Sequence, residues 1–330
     1  MSRWTSLVAR TRGLATHLLS ESALRNIESC VTLRSLATRL VESGYPVPEP
    51  ESTSTPADIE LACRRIAAAR IGVLERWALG EGDLLLPFTL AEDMRSIRTL
   101  IRGAVGSGGV SADARVRGLI PTARLPVRAL AQLAGIDDPI AIGATLVAWR
   151  HPLARAVTAD QLREADLLRL DCRLLDAWAR ASMKVAQQHG LRSIRRYVVE
   201  TIDVANAVTA RLLAEQRSDV EPAELFVQGG ARIAVADLVA AAASHDVERI
   251  AARVRLTGPD AVLETALSAA LLHFENDLLV ARIAAARRES RRDPLDPAVV
   301  ALFFLRLRAE QGRIIRAAWS CALGAGHAAA

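Results

Sequence analysis

The sequence predicts an all-α protein built from three helical units of similar size in series. Ala, Leu and Arg dominate a chain of 330 residues in which only 4% is aromatic. These three are strong helix formers, whereas β-branched and aromatic residues favour strands. Apolar residues also recur at three- and four-residue steps, the spacing of one helix face. Three of these stripes have an acid set into them: Asp93 among Leu90, Ile97 and Leu100; Asp203 among Val199, Ala207 and Ala210; Glu310 among Phe303, Leu307, Ile314 and Ala317. The acids lie 110 residues apart (93 to 203) and 107 apart (203 to 310). They divide the chain into units over 1–117, 118–221 and 222–330. Stacked solenoid repeats run roughly 20–50 residues, so units of this size read as small bundles in series.

The elements follow in order. A first helix is expected over 4–19 and a second over 22–41, before the extended loop Tyr45-Pro-Val-Pro-Glu-Pro. Thr55, Pro56 and Asp58 suit the cap, first position and first-turn acid of a long helix reaching Leu79, which Gly80 and Gly82 end. The first acid-bearing helix follows, with Thr89 and Glu92 at capping-box spacing. Gly103-Ala-Val-Gly-Ser-Gly-Gly109 follows a helix rather than a strand and lacks a Gly-Lys-Ser/Thr ending, so it reads as a connector and not a phosphate loop. The second unit has a long helix over 158–189 and an acid-bearing helix over 195–214. The third has helices over 235–243 and 247–255, a long helix from Gly258-Pro259-Asp260 to Arg288, and a closing helix that Asp296 caps and Pro297 begins.

Composition narrows the function. The formal charge is +5, and Lys184 is the single lysine among 42 basic residues, an arginine bias that reflects a GC-rich coding composition more than a nucleic-acid surface. There is no recognition helix and little aromatic material for stacking on bases. Cys30, Cys63, Cys172 and Cys321 are far apart, with no metal-ligand spacing, and read as reduced, buried residues. No apolar run reaches the roughly 18–20 residues that span a bilayer. Arg3, Arg10 and Arg12 imitate a presequence but fit an ordinary amphipathic first helix.

Catalytic patterns fail on inspection. No P-loop, H-E-x-x-H, G-x-S-x-G or paired E-x-x-H is present. Asp137-Asp138 lacks the further acids of a magnesium-binding aspartate motif, since Ala141 and Ile142 follow, and reads as a cap or loop. His245 and Glu248 share a helix face without a second ligand cluster. The candidate residues that remain are Asp93, Asp203, Asn206 and Glu310, as structural or partner-facing groups. Arg95, Arg196 and Arg313 are the expected partners of the three acids. No catalytic, cofactor or metal site is expected.

The acid-bearing helices approximate D/E-x-x-N-Leu/Ile-Arg: Asp203-Val-Ala-Asn206, Asp93-Met-Arg-Ser-Ile-Arg98, and Glu310 with Ile314. Together with Ala9-Arg-Thr-Arg-Gly-Leu-Ala-Thr-His-Leu-Leu-Ser20, Gln228-Gly-Gly230 and Asp293-Pro-Leu-Asp-Pro297, the pattern resembles the C/d subunit family of V-type and A-type rotary ATPases. Ser96 and Arg313 replace the asparagine, Ala207 a bulky apolar residue, and Phe303 or Phe304 a usual tyrosine, as in a divergent member. The resemblance implies a funnel-like, non-catalytic protein without a cofactor. It implies a place on the cytoplasmic face of the membrane, as a peripheral part of a membrane complex. Its partners would be the central-shaft subunits (D/F type) and the membrane rotor ring (c/K type), in proton or sodium ion transport. The rival readings are an all-helical enzyme with a site assembled from dispersed acids, and an arginine-rich nucleic-acid regulator.

Overall fold

The computed structural model describes residues 4–47, 55–78, 82–106, 112–163, 166–215, 220–244 and 271–328. Among them every regular element is helical: α1 Thr5–Ala15, α2 Glu21–Glu28, α3 Leu33–Glu42, α4 Pro56–Trp77, α5 Leu86–Val105, α6 Ala112–Arg117 and α7 Val127–Ala134. Then come α8 Pro139–Ala148, α9 Ala159–Arg163, α10 Leu167–Gln188, α11 Arg192–Glu215, α12 Val235–Ser244, α13 Leu271–Arg292 and α14 Ala298–Ala328.

Local chemistry accounts for the boundaries. Thr55 and Asp58 close a reciprocal capping box at the start of α4: the Thr55 hydroxyl accepts from Asp58 N–H at 3.3 Å, and Asp58 accepts from Thr55 N–H at 2.9 Å. Asp138 caps α8 by accepting from Ile140 N–H at 2.9 Å. Asp296 accepts from Ala298 N–H at 2.6 Å, so α14 starts one residue after Pro297.

Other boundaries depart from expectation. The first helix stops at Ala15, and the second divides into α2 and α3 because Thr32 begins a new helix, its hydroxyl accepting from Ser35 N–H at 3.1 Å. Thr89 is not a cap. A 3-10 turn over Gly82–Leu85 runs straight into α5, so Thr89 lies inside the helix and donates to Leu85 O at 3.2 Å. The expected helix over 158–189 is two helices, α9 and α10; Asp166 caps the second by accepting from Leu168 N–H and Arg169 N–H at 2.9 and 3.1 Å. His245, Glu248, the helix expected over 247–255 and the start at Gly258 lie outside the described residues, as do Gly80 and 107–109.

Three apolar clusters hold the helices. The largest joins α5, α7, α8, α10, α11 and α12 around Ile97 and Leu100 of α5, with Leu146, Trp178 and Ile202. A second joins α1, α4, α5, α11 and α14, where Phe88 stacks on Phe304 at 4.6 Å and meets Tyr197 at 4.8 Å. A third packs α2, α3 and α4 against α14 through Leu36, Leu40, Ile59 and Ile314. Each fully buried aliphatic side chain contributes roughly 1.5–3 kcal/mol of transfer free energy. Helix α14 therefore belongs to both the second and third clusters, and it also packs along α13.

Candidate functional site

The four candidate residues are buried: Asp93 and Asn206 are 0% exposed, Glu310 1% and Asp203 2%. Asp93 projects from α5 towards the chain before α7. Its Oδ1 accepts from the Thr122 hydroxyl at 2.6 Å, and that hydroxyl accepts from Leu125 N–H at 3.1 Å. His151 Nε2 lies 3.3 Å from Asp93 Oδ2, while Leu153 N–H donates to its Nδ1 at 3.2 Å. An Nδ1 that accepts a backbone proton carries none of its own, so the geometry selects the neutral tautomer with Nε2–H aimed at Asp93. Arg150, one residue earlier, has φ +54°, the left-handed turn that ends α8, where His151 N–H donates to Leu146 O at 3.0 Å. Nearby Glu75 accepts from Ala123 N–H at 2.9 Å. Burial pushes its carboxyl up from the ordinary value, the Ala123 bond and Arg124 pull it back, and the Asp93 charge adds to the rise.

Asp203 projects from α11 into a glycine turn. Its carboxylate accepts from Ala231 N–H at 3.0 and 3.2 Å and from Arg232 N–H at 3.0 Å. Gly229 takes φ +102°, and a Cβ on Gly230 would come well within 3.0 Å of Asp203 Oδ1. Only glycines allow this approach. One turn further on, Asn206 satisfies both polar groups of Val227, donating to its carbonyl at 2.9 Å and accepting from its N–H at 3.0 Å.

Glu310 projects from α14 onto the chain that follows α1. Its Oε2 accepts from Leu19 N–H at 2.6 Å, and its Oε1 takes the Arg70 guanidinium. Arg70 also donates to His17 O at 2.5 Å and lies 5.5 Å over the Tyr45 ring.

These are not the expected partners. Arg95 pairs with Glu92 on its own helix, Arg196 with Glu289 at 3.1 Å, and Arg313 with Glu21 and Glu28 at 2.7 and 2.6 Å. The arginines near in sequence turn to other acids. The buried acids instead meet groups from distant segments, which no spacing rule along the chain discloses.

The same three helices contribute to the wall of a cavity of about 420 Å³ between α5, α10, α11, α13 and α14. Its apolar lining includes Met94, Val204, Val208 and Ala309, each near one of the three acids in sequence. Arginines supply most of its charge. Arg282, 4% exposed, donates to the Thr201 hydroxyl at 2.6 Å and to Tyr197 O at 3.2 Å, 5.0 Å over the Tyr197 ring. Arg316 donates to Asn276 at 3.1 Å, and burial lowers its guanidinium from the ordinary value. Asp171 takes Arg102 at 2.8 Å and Arg98 at 3.4 Å; burial nevertheless raises its carboxyl, the two arginines pulling it back. Among the described residues no group of three or more His, Cys, Asp or Glu side chains is arranged to hold a metal. The cavity thus combines an apolar wall with arginines, of which Arg95, Arg98 and Arg282 are paired with Glu92, Asp171 and Glu200 of the chain itself.

A sequence model of the ATP synthase (C/AC39) subunit family matches residues 7–325. The chain belongs to this family. Among curated proteins it is similar to the C subunit of the V-type ATP synthase from two strains of Thermus thermophilus, with 27% identity over 174 residues in each case. Those alignments span 52% of this chain and 52% of each relative, so the chain matches about half the length of the curated relatives. The all-helical architecture fits a C/AC39 subunit, and no described helix is long and apolar enough to cross a membrane.

Proposed function

We propose that the chain is the non-catalytic coupling subunit of a V/A-type rotary ATPase, joining the rotating central shaft to the membrane rotor ring during proton or sodium transport. It sits peripherally on the cytoplasmic face, with shaft subunits of the D/F type and ring subunits of the c/K type as partners. The observation that carries this reading is that all three acid-bearing helices wall one arginine-rich cavity, a socket for a shaft end.

The three units 1–117, 118–221 and 222–330 are part of the proposal. Asp93 in the first unit holds Thr122, 29 residues on, at the opening of the second. Asp203 in the second holds Ala231 and Arg232, 28 and 29 residues on, at the opening of the third. Glu310 in the third holds Leu19, near the start of the first. Each acid thus latches the next unit, and the last returns to the beginning, which supports a closed, funnel-like arrangement. Asp93, Asp203, Asn206 and Glu310 are latches that shape the socket rather than contacts with a partner.

The test compares ion pumping and ATP hydrolysis in membranes with and without the chain. Torque needs both interfaces at once, whereas hydrolysis in the soluble head needs neither. Loss of pumping with residual hydrolysis is expected. Full pumping without the chain, in cells with no second copy, rules out the coupling role.

A further inference from the structure

Cys30 and Cys321 lie 291 positions apart in the sequence, yet the Cys321 thiol donates to Cys30 O at 3.2 Å. Cys30 ends the turn between α2 and α3; Cys321 is on the last turns of α14, 3% exposed. Cys30 is half-buried and turns its Sγ back towards Asn26 O at 3.5 Å. The Cys321 thiol is thus in direct contact with the backbone of Cys30, and the Cys30 thiol lies close enough to act on it electrostatically; a disulfide needs the two sulfurs turned towards each other. We propose that Cys30 and Cys321 form a dithiol that closes to an intramolecular disulfide in the presence of a low-molecular-weight disulfide such as oxidised glutathione.

The step balances without a further reagent. Cys30, the less buried of the two residues, loses its proton and attacks one sulfur of the glutathione disulfide, releasing one glutathione thiol. Cys321 then loses its proton and attacks Cys30 Sγ, forming the protein disulfide and releasing the second glutathione. Two protein thiols are oxidised and one small disulfide is reduced. Burial, and after it the adjacent Cys30 thiol, raise the Cys321 thiol from its ordinary value, so Cys321 suits the resolving role and not the first attack.

The other two cysteines are placed differently. Cys63 is 0% exposed on α4, and burial pushes its thiol up to about 12. Cys172 on α10 belongs to another apolar cluster, and burial likewise pushes it up to about 12. The bond would tie the α2–α3 turn to α14 five residues beyond Arg316, a residue of the cavity wall. It would close a loop of nearly the whole chain, restricting the unfolded state.

The experiment incubates the purified full chain with oxidised and reduced glutathione at graded ratios, counts thiols in denaturant and maps linked peptides by mass spectrometry. Two of the four thiols should disappear together, with a Cys30–Cys321 peptide, monomeric faster migration without reductant, and a higher melting temperature that dithiothreitol reverses. Cys321→Ser should stop at a glutathione adduct on Cys30, and Cys30→Ser should keep its three thiols. Cys321→Ala provides the same test should serine disturb the buried site. Four free thiols at every ratio, a link through Cys63 or Cys172, or a bond between two chains would overturn the assignment.

Discussion

Glu310 Oε2 accepts the Leu19 N–H at 2.6 Å across 291 residues of chain, while its other oxygen holds the buried Arg70. One carboxylate thus joins α14, α4 and the chain after α1. Breaking such a pair leaves an uncompensated charge, so Glu310→Gln should cost about 3–5 kcal/mol. Replacing both members with apolar residues, Arg70→Met with Glu310→Leu, should recover at least half of that loss, because neither charge then remains buried. Urea unfolding of the two variants decides it; equal losses would mean the pair does not act as a unit.

Gly230 and Asp203 form a close approach that a methyl group on the glycine would violate. Gly230→Ala should therefore displace the turn and weaken the bonds from Ala231 and Arg232. In an Asp203→Ala background the obstruction is gone, so the same substitution should cost less. The double-mutant cycle should give a coupling of about 0.5–3 kcal/mol. Additive effects would remove the argument that the glycine is there to admit the carboxylate.

The fold class and the cores were legible from the residues because they depend on local pattern. Thr55 with Asp58 and Asp138 before Pro139 perform the capping their positions suggest. Ile97, Leu100, Phe303 and Leu307 are buried as their stripes imply, although Val198 and Ile202 bury more deeply than Val199 on α11. The partners of the buried acids were not legible. Thr122, His151, Arg70 and the backbone of Leu19 carry no signal in their own neighbourhoods. Glu92, at capping-box spacing from Thr89, is taken by Arg95 instead.

The packing of α14 gives a third prediction. Leu307 is 2% exposed in the second cluster, beside Phe88 and Phe304. Leu307→Ala should lower stability by about 2–5 kcal/mol, through lost transfer energy and the void left behind. Thermal unfolding unchanged from the parent would contradict its place in the core.

Glu75 makes stability depend on pH. Its carboxyl is raised above the ordinary value of 4.5, first by burial and further by Asp93. The folded state therefore holds this proton more tightly than the unfolded chain, and stability falls as pH rises from 4.5 through the raised value. Below that window the penalty is absent. Glu75→Gln removes the charge, so the variant should gain relative to the parent near neutral pH, and the two should converge in acid. Melting curves across the range measure this, and a variant advantage that grows as pH falls would reverse the sign of the argument.

The cavity arginines provide the test of how the proposed socket works. Arg316 lies on its wall, bonded to the neutral amide of Asn276 at 3.1 Å, and burial makes its charge costly there. The Glu28 charge offsets only part of that cost, and under the proposed coupling role the guanidinium serves whatever enters the cavity. If that is a shaft end with acidic groups, Arg316→Glu replaces attraction by repulsion while leaving the core helices intact. Rising salt should also weaken shaft binding by the parent chain, since the Debye length is about 8 Å at physiological ionic strength. The variant should melt close to the parent temperature. It should restore ion pumping roughly tenfold less well to membranes lacking the chain, since like charges now meet across the interface, while hydrolysis by the soluble head continues. Parent-level pumping by a folded Arg316→Glu chain would remove this wall from the coupling path, even with the coupling role itself intact.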